Sequence, residues 1–279
     1  MNSGDRIRLQ LTLQYDGSGF HGWQVQKRER TVQGEIEAAI ERLMGSRRPV
    51  IGSGRTDAGV HAEGQVAIVD VPPRWSAPEL HRALNAVLSR EIWVTDVRRV
   101  NAGFNPRLHA VARTYTYRLG TAPESRSPFN HGLCWALCEP VDRAVLDQAA
   151  TELPGDHSFR AFAKAGQPHR GDRCIVHAAA WQPWDPLGVA FTITANRYLH
   201  HMVRYLVGTM VDMALGRRPV GDLGRLLAGT DPKLVTSSPA PSQGLFLTRV
   251  EYPDEVLDPT STRPAGATRG DTTAHEDLP

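Results

Sequence analysis

The order of apolar and polar residues divides the chain into two successive blocks, each built from strands and helices. In the first block, the alternation that begins at Ile7 is typical of a half-buried strand, and apolar residues every three or four positions after Thr31 predict a helix. Thr31 suits the N-cap of this helix and Gly45 its end. The block predicts strand, helix, strand, helix and strand at residues 7–15, 32–43, 66–71, 78–88 and 92–97.

The second block repeats this mixture of elements with a longer helix. Residues 175–181 and 189–195 have the pattern of a hairpin, and residues 198–215 form the longest helical pattern of the chain. The other predicted elements are strands at 112–119 and 245–250 and helices at 142–153 and 223–227. Two such blocks predict an α+β protein with an antiparallel sheet and helices on one face.

The chain ends in a segment of different character, from Asp254 to Pro279. It is rich in Pro, Thr and Gly without periodicity, which predicts a disordered acidic tail. Six acidic residues and two arginines give it a net charge of −4; the whole chain carries +2, so residues 1–253 carry +6. Of the 32 basic residues, 29 are arginines, which bind phosphates bidentately. A mildly basic body permits nucleic-acid binding without requiring it.

Cysteine use and hydropathy give an expectation for the cell compartment. Cys134, Cys138 and Cys174 are too few for a disulfide framework, and no Cys/His pair follows at the spacing of a zinc finger. Thiols in a reducing cytoplasm are the simpler interpretation. Residues 1–8 are too polar for a signal peptide, and no apolar run reaches the roughly 20 residues of a membrane helix. We expect a cytoplasmic protein.

The segment from Gly52 to Ala62 is the strongest candidate for chemistry. Its three glycines allow a tight loop, and an Arg-Thr-Asp sequence lies at its centre. On such a loop, Asp57 can enter a cleft as a nucleophile or general base, kept ionised by a nearby cation; alternatively, it only binds backbone N–H groups in a turn. The segment lacks the Gly-Lys-Ser/Thr of a P-loop, and Asp57 with His61 gives too few ligands for a metal site.

Two other segments offer aromatic rings. Residues 113–118 read Arg-Thr-Tyr-Thr-Tyr-Arg, so Tyr115 and Tyr117 lie on one sheet face. They suit either stacking on a base between arginines or packing in the core. Residues 20–24 read Phe-His-Gly-Trp-Gln and offer rings and hydrogen-bonding groups on a loop. They suit either RNA binding or a hydrophobic plug.

The long-helix region contains a cluster of basic residues. Arg204 follows His200 and His201 by one helical turn, so the three side chains meet near the start of the helix. An arginine among apolar residues requires an anion such as Asp57, unless its side chain extends to solvent. The two histidines do not form the His-Glu-x-x-His of a zinc protease.

In this order, the segments resemble the TruA family of tRNA pseudouridine synthases. The most specific match is Gly-Arg-Thr-Asp-Ala-Gly-Val-His at residues 54–61, which is similar to the active-site loop of that family. Supporting matches lie at residues 15–17, 22–24, 113–115, 200–204 and 244–247. The resemblance extends from about residue 9 to residue 252, nearly all of the predicted folded chain.

The resemblance implies roles for individual residues. Asp57 matches the catalytic nucleophile, Arg204 the arginine that pairs with it, and Tyr115 the tyrosine that stacks on the target base and assists removal of its C5 proton. The implied substrate-binding residues are Tyr115, Arg55, His61, Trp23, Gln24, Arg113 and His201. Residues 104–110, Phe-Asn-Pro-Arg-Leu-His-Ala, depart from the aromatic-rich sequence frequent in the family, so we carry over no RNA contact there.

The resemblance also implies the reaction, the partners and the fold. A homodimer would isomerise uridine to pseudouridine in the anticodon stem-loop of tRNA, at tRNA positions 38, 39 and 40, without a metal or cofactor. The expected fold class is α+β, with two ferredoxin-like halves that share a central antiparallel sheet. Helices would pack on one face, with a cleft between the halves. The halves are residues 1–103, which carry the catalytic loop, and residues 104–253.

Three alternatives remain open from the sequence. The first is a non-catalytic RNA-binding protein on the same scaffold. The second is a metal-dependent hydrolase that uses Asp57, His61, His200 and His201. The third is an enzyme that acts on a different uridine or on an RNA other than tRNA.

Overall fold

The computed structural model describes residues 6–164 and 171–257, and the first half of this chain has the five elements that its pattern predicts and one further short strand, β2. They are β1 (Ile7–Tyr15), α1 (Val32–Met44), β2 (Ile51–Gly52), β3 (His61–Val71), α2 (Ala77–Val87) and β4 (Ile92–Arg99). Thr31 caps α1 by accepting a hydrogen bond from the Gly34 N–H, and Gly45 ends the helix at φ +71°. Strand β1 pairs antiparallel with both β3 and β4.

The second half adds more strands and a long buried helix. Its elements are β5 (Ala112–Gly120), β6 (Trp135–Ala136), α3 (Arg143–Thr151), β7 (Gly155–Ser158), β8 (Arg173–Trp184), β9 (Gly188–Ala195), α4 (Met202–Ala214), α5 (Asp222–Ala228), β10 (Leu245–Glu251) and α6 (Asp254–Leu257). Strands β8 and β9 form the predicted hairpin, and β9 pairs antiparallel with β5.

Strand β10 joins the two halves into one sheet. The strand order is β4-β1-β3-β10-β5-β9-β8-β7, with β2 paired to β3 and β6 paired to β5. Strand β10 runs antiparallel to β5 but parallel to β3, where Phe246 and Leu247 align with His61 and Ala62. The predicted large antiparallel sheet is confirmed, with this parallel contact at its centre.

The main core lies between the sheet and the helices. It combines sheet residues such as Leu11 and Tyr117 with helix residues such as Ile36, Leu84 and Leu206, all of them fully buried. Because this apolar cluster continues across both halves, the division between residues 103 and 104 stays a prediction. The arrangement agrees with the expected α+β class.

Two element boundaries differ from those predicted from the sequence. Strand β3 begins at His61 rather than at residue 66, so the loop that precedes it is shorter than predicted. The long helix α4 begins at Met202 rather than at residue 198, because His201 adopts a left-handed conformation with φ +65°. As a result, β3 begins four residues after Asp57, and α4 begins directly after His201.

The predicted tail begins with a short helix rather than with disordered residues. Residues 254–257 form α6, and its Val256 and Leu257 pack against the small apolar cluster of Ile68, Val100 and Phe104. The rest of the predicted tail, residues 258–279, lies outside the described residues. Across the described ranges, none of the helices has the length and hydropathy needed to cross a membrane.

Candidate active site

Buried polar side chains fix the first part of the loop that connects β2 and β3. Gln65, fully buried in β3, accepts a hydrogen bond from Ser53 Oγ (2.7 Å) and donates one to the Gly54 carbonyl (3.1 Å). The hydroxyls of Tyr15 and Thr56 are hydrogen-bonded at 2.8 Å. Burial raises the pKa of Tyr15, which keeps its phenol protonated. These contacts hold the loop from both sides.

Glycines allow two other segments to pack closely on this loop. Gly22 has φ +83°, and a Cβ at this position would lie 2.5 Å from the Thr56 carbonyl oxygen. Gly59 has φ +76°, and its Cβ would lie 2.6 Å from Ser242 Oγ. Only glycine combines a positive φ with such a close approach without strain. The loop is therefore enclosed by the segment after β1 and by the segment before β10.

Asp57 leaves this loop toward the start of α4 in the other half of the molecule. Its Oδ1 lies 3.1 Å from His200 Nε2, and its Oδ2 lies 3.3 Å from His201 Nε2. Arg204 Nη1 is 3.7 Å from the same Oδ2. The N-terminal end of a helix carries a partial positive charge. These basic groups surround the Asp57 carboxylate, whose side chain remains 23 % exposed.

His201 occupies a strained position that brings its ring to Asp57. It is the N-cap residue of α4 with φ +65°, a conformation that costs a non-glycine residue about 1 to 2 kcal/mol. Burial lowers the pKa of His201, and the charges of His200, Arg204 and Lys164 add to the effect, while Asp57 opposes it. At neutral pH the ring is therefore neutral, with its Nε2 3.3 Å from Oδ2 of Asp57.

Arg204 is held by the segment that precedes β10 rather than extending to solvent. Its Nε donates to the Ala240 carbonyl (2.7 Å), and its own carbonyl accepts from the Ala240 N–H (2.9 Å). The same segment is fixed by Tyr117, whose hydroxyl donates to the Pro241 carbonyl (2.8 Å). The guanidinium, only 15 % exposed, therefore has a fixed position beside the carboxylate.

Tyr115 is a core residue of β5. Its ring is 9 % exposed and packs edge-on against Tyr198, with centroids 4.9 Å apart. The Tyr198 hydroxyl is anchored by the carbonyls of Arg113 and Ile193. Burial raises the pKa of Tyr115 to about 12, with a contribution from the charge of Asp57. Core packing of this tyrosine is therefore confirmed, and its place at the site stays a prediction.

His61 does not lie where a contact with RNA requires it to be. Its side chain is 1 % exposed, and its ring stacks on Phe246 with centroids 4.6 Å apart. Nδ1 accepts from the Gly17 N–H (3.1 Å), and Nε2 lies 3.1 Å from the carbonyls of Gly132 and Gln243. Burial lowers the pKa of His61. The neutral ring therefore connects the two halves beneath the loop, which corrects the predicted substrate contact.

Trp23 and Arg113 also support the loop from within, in contrast to the predicted RNA contacts. Trp23 is 2 % exposed and packs so tightly on Gly52 that a Cβ there would lie 2.6 Å from the indole ring. Arg113 donates to three backbone carbonyls, those of Ser53 (2.9 Å), Arg107 (3.2 Å) and Asn196 (3.2 Å). Trp23 is therefore buried, whereas Arg113 is half-buried and its guanidinium is held by backbone carbonyls.

Arg55 and Gln24 are the predicted substrate-binding residues that lie at the surface. Arg55 is exposed next to the proposed nucleophile, and its Nε donates to Gln24 Oε1 at 3.3 Å. Gln24 in turn donates to Gln33 Oε1 at 2.8 Å. This exposed pair can reorganise around a ligand because no buried partner fixes the guanidinium.

The fold assembles three of the four ligands that the hydrolase alternative names, without His61. Asp57, His200 and His201 place one ligand atom each within 4.8 Å of one another. His61 is outside this group, with both ring nitrogens engaged elsewhere. The guanidinium of Arg204 beside the carboxylate also repels a divalent cation.

Sequence patterns alone missed several residues of this site. The spacing of His200 predicts its proximity to Arg204 but gives no sign of its contact with Asp57. The supporting network of Tyr15, Gln65 and Thr56 left no signal, since each residue also fits its strand or turn without a functional role. A partly exposed carboxylate surrounded by basic side chains is chemically suited to act as a nucleophile or a base.

Comparison with known proteins identifies the family. A family model described as tRNA pseudouridine synthase matches residues 12–107 and 149–253. A tRNA pseudouridine synthase A of Myxococcus xanthus is 36 % identical over 261 residues, 94 % of this chain and 97 % of that protein. The proteins of the same name in Syntrophomonas wolfei and Geobacillus kaustophilus are each 36 % identical over 251 residues. These alignments cover 89 % and 90 % of this chain and 98 % and 96 % of those relatives.

The chain belongs to the tRNA pseudouridine synthase family. This membership confirms the resemblance drawn from the sequence motifs. It favours an enzyme over a non-catalytic RNA-binding protein, since the family isomerises uridine to pseudouridine in tRNA.

Proposed function

We propose that this chain isomerises uridine to pseudouridine in tRNA, with Asp57 as the nucleophile. The observation that carries the proposal is the geometry of one carboxylate. Asp57 has a histidine ring nitrogen 3.1 Å from one carboxylate oxygen and another 3.3 Å from the second, and it faces Arg204, yet its side chain is still 23 % exposed. A carboxylate that is charged, fixed in position and partly accessible suits attack on a substrate that enters a groove.

The reaction exchanges one bond of the nucleotide for another. The C1′–N1 glycosidic bond breaks, the uracil turns, and C5 bonds to C1′; C5 loses its proton and N1 gains one, so the product is an isomer. Attack by Asp57 at C1′, attack at C6 and support of an elimination all require the ionised carboxylate. The target nucleotide must first leave its stack, at a cost of a few kcal/mol.

Tyr115 is proposed to hold the detached uracil by contact with its ring. The pKa of about 12 keeps the phenol protonated at neutral pH, so stacking and hydrogen bonding suit this residue better than proton removal by a resting phenolate. Its edge-on contact with Tyr198 fixes the ring plane. Only 9 % of Tyr115 is exposed, so a base that is still stacked in the RNA cannot reach its ring. The target base must first leave the RNA stack.

Arg55 and Gln24 are proposed as the RNA contacts at the mouth of the site. Both are exposed, and a guanidinium can bind a backbone phosphate or fill the space that the everted base leaves. We further propose that the targets are uridines at tRNA positions 38, 39 and 40, that the enzyme works in the cytoplasm as a homodimer, and that the reaction needs no cofactor. These points rest on the family resemblance.

The test is tritium release from C5-labelled uridine in tRNA transcripts. The parent protein should release tritium, and transcripts without uridine in the 3′ side of the anticodon arm should release none. Asp57→Asn keeps the shape of the side chain but removes its charge, and turnover should fall at least about 10³-fold while tRNA binding persists. Normal turnover by folded Asp57→Asn would disprove the nucleophile. Release that is independent of the anticodon-arm uridines would disprove the substrate assignment.

A further inference from the structure

A second group of basic residues surrounds a cavity away from Asp57. It lies where the connection from α1 to β2 meets the far end of β3. The cavity measures about 260 Å³, and its lining includes Arg6, Arg47, Arg48, Ile51, Ile68 and Asp70. A strand rises about 3.3 Å per residue, so this end of β3 lies roughly 20 to 30 Å from His61, where the catalytic loop ends. We call this site the arginine cavity.

The carboxylates near the arginine cavity are already paired with other arginines. Asp70 accepts two hydrogen bonds from Arg8, from its Nε and Nη2, each at 2.8 Å. Glu37 accepts two from Arg47, at 3.1 Å and 2.8 Å. Each of these ion pairs is neutral as a unit. The charge of the remaining arginines is therefore not balanced by these acids.

Arg48 and Arg6 are those remaining arginines. Arg48 donates from Nη1 to the uncharged carbonyl of Asp70 (3.2 Å), and its buried Nε has no hydrogen-bond acceptor among the described residues. Leaving a buried donor of a charged group unpaired costs about 1 to 3 kcal/mol or more, so a buried unpaired group calls for an explanation. Arg6 is exposed and makes no hydrogen bond or ion pair with the described part of the chain.

We propose that the arginine cavity binds a phosphate group. A phosphate offers several acceptor oxygens to the planar guanidinium donors and balances the two free positive charges. The backbone of bound tRNA is one source of this group, at a point well separated from the target uridine, and free phosphate is the other. The anion site itself does not depend on the role of Asp57; only its assignment to tRNA rests on the proposed function.

The test compares two pairs of arginines with the same total charge. The site variant combines Arg6→Gln with Arg48→Gln. The control combines Arg82→Gln with Arg90→Gln, two exposed arginines on and just after α2. Arg6→Gln alone guards against misfolding, because this side chain has no hydrogen-bond or ion-pair partner within residues 6–164 and 171–257. All measurements use the full chain.

The first measurement is thermal unfolding with increasing inorganic phosphate at constant ionic strength. Phosphate should raise the midpoint temperature of the parent and of the control, because a ligand that binds only the folded state stabilises it. The site variant should lose at least half of this rise, and Arg6→Gln should lose a smaller part. An equal rise in the parent and in both site variants contradicts phosphate binding in the cavity.

The second measurement is tRNA affinity at several salt concentrations, in an Asp57→Asn background that prevents turnover. Removing one arginine–phosphate interaction should reduce the slope of log K against log salt by about 0.7 to 0.9. A smaller slope for the site variant than for the control assigns the cavity to the RNA backbone. An unchanged slope together with a lost phosphate response assigns it to free phosphate. If both responses are unchanged, the proposal is overturned whatever the result for Asp57.

Discussion

The two halves of the molecule contribute to the active site in different ways. The N-terminal half supplies Asp57 on a loop, whose position depends on buried polar side chains such as Gln65 and Tyr15. The C-terminal half supplies His201 and Arg204 at the start of a helix, and these set the charge environment of the carboxylate. The N-terminal half therefore determines where Asp57 lies, and the C-terminal half determines the charges around it. Variants in one half should disturb where the nucleophile lies, and variants in the other should disturb how reactive it is.

The largest effect on turnover is expected at Arg204, in the half that sets the charges around Asp57. Arg204→Gln removes the guanidinium beside Asp57, and turnover should fall about 10²- to 10³-fold, as expected when a fixed charged group is lost from an active site. Single-turnover rates on tRNA measure this effect. Arg204→Lys keeps the charge but loses the bond to Ala240 and should recover part of the rate. A Gln variant as active as the parent would refute the charge role of the C-terminal half.

The two histidines should differ in importance, although each contacts one oxygen of Asp57. His201→Asn suits the left-handed backbone but cannot reach the carboxylate, so kcat should fall about tenfold or somewhat more, the value of a hydrogen bond to a charged group. His200 is 41 % exposed against 17 % for His201, so His200→Asn should cost less. Steady-state kinetics on tRNA compare the two variants. Equal losses would show that burial does not set their contributions.

In the N-terminal half, which positions Asp57, His61 should make the free energy of unfolding depend on pH. Burial lowers its pKa below the ordinary value of 6.5, so the unfolded chain binds more protons than the folded chain in that window. The stability that the neutral ring contributes is complete above about pH 6.5 and is lost as the pH falls through the lowered pKa. Urea unfolding at pH 7.5 and 5.5 measures this loss.

The matched variant is His61→Gln. It should cost about 1 to 2 kcal/mol at pH 7.5, because the ring stacking on Phe246 and the hydrogen bonds of the imidazole are removed. It should then lose less stability than the parent between the two pH values. A parent and a variant with parallel pH profiles would contradict a neutral buried ring.

The smallest effect is expected at Tyr15. Tyr15→Phe removes the hydrogen bond to Thr56 and should lower the free energy of unfolding by about 0.5 to 1.5 kcal/mol, with a minor loss of turnover. A double-mutant cycle with Thr56→Val isolates the pairwise coupling. If the two effects are simply additive, the hydrogen bond does not hold the loop.

Much of the fold followed from the sequence because its strands and helices carry clear periodicity. The apolar residues of β1 and α1 repeat every second and every fourth position, and their caps are typical ones. Strand β2 contains only two residues and α6 only four, which is too short for any periodic pattern. The start of α4 was misplaced because only tertiary contact holds His201 in its unusual conformation.

The active-site prediction divides along a similar line. The proximity of Asp57 and Arg204 was expected because a partly buried arginine requires an anion, and the motifs pointed to the same pair. The sequence did not reveal that Trp23, His61 and Arg113 lie beneath the loop, because aromatic and basic residues fit both an RNA surface and a supporting layer. The burial of each side chain distinguishes these roles, and burial can be read only from the folded structure.

The place of β10 in the sheet has a consequence for protein synthesis. In the described sheet β3 and β5 do not pair directly, and Leu245–Glu251 lies between them. A growing chain that has not yet released these residues from the ribosome has two separate partial sheets. It already carries the reactive aspartate, but the groups that charge and orient it are not yet locked in place. The nascent protein should therefore stay catalytically silent until nearly all of its folded residues have been translated.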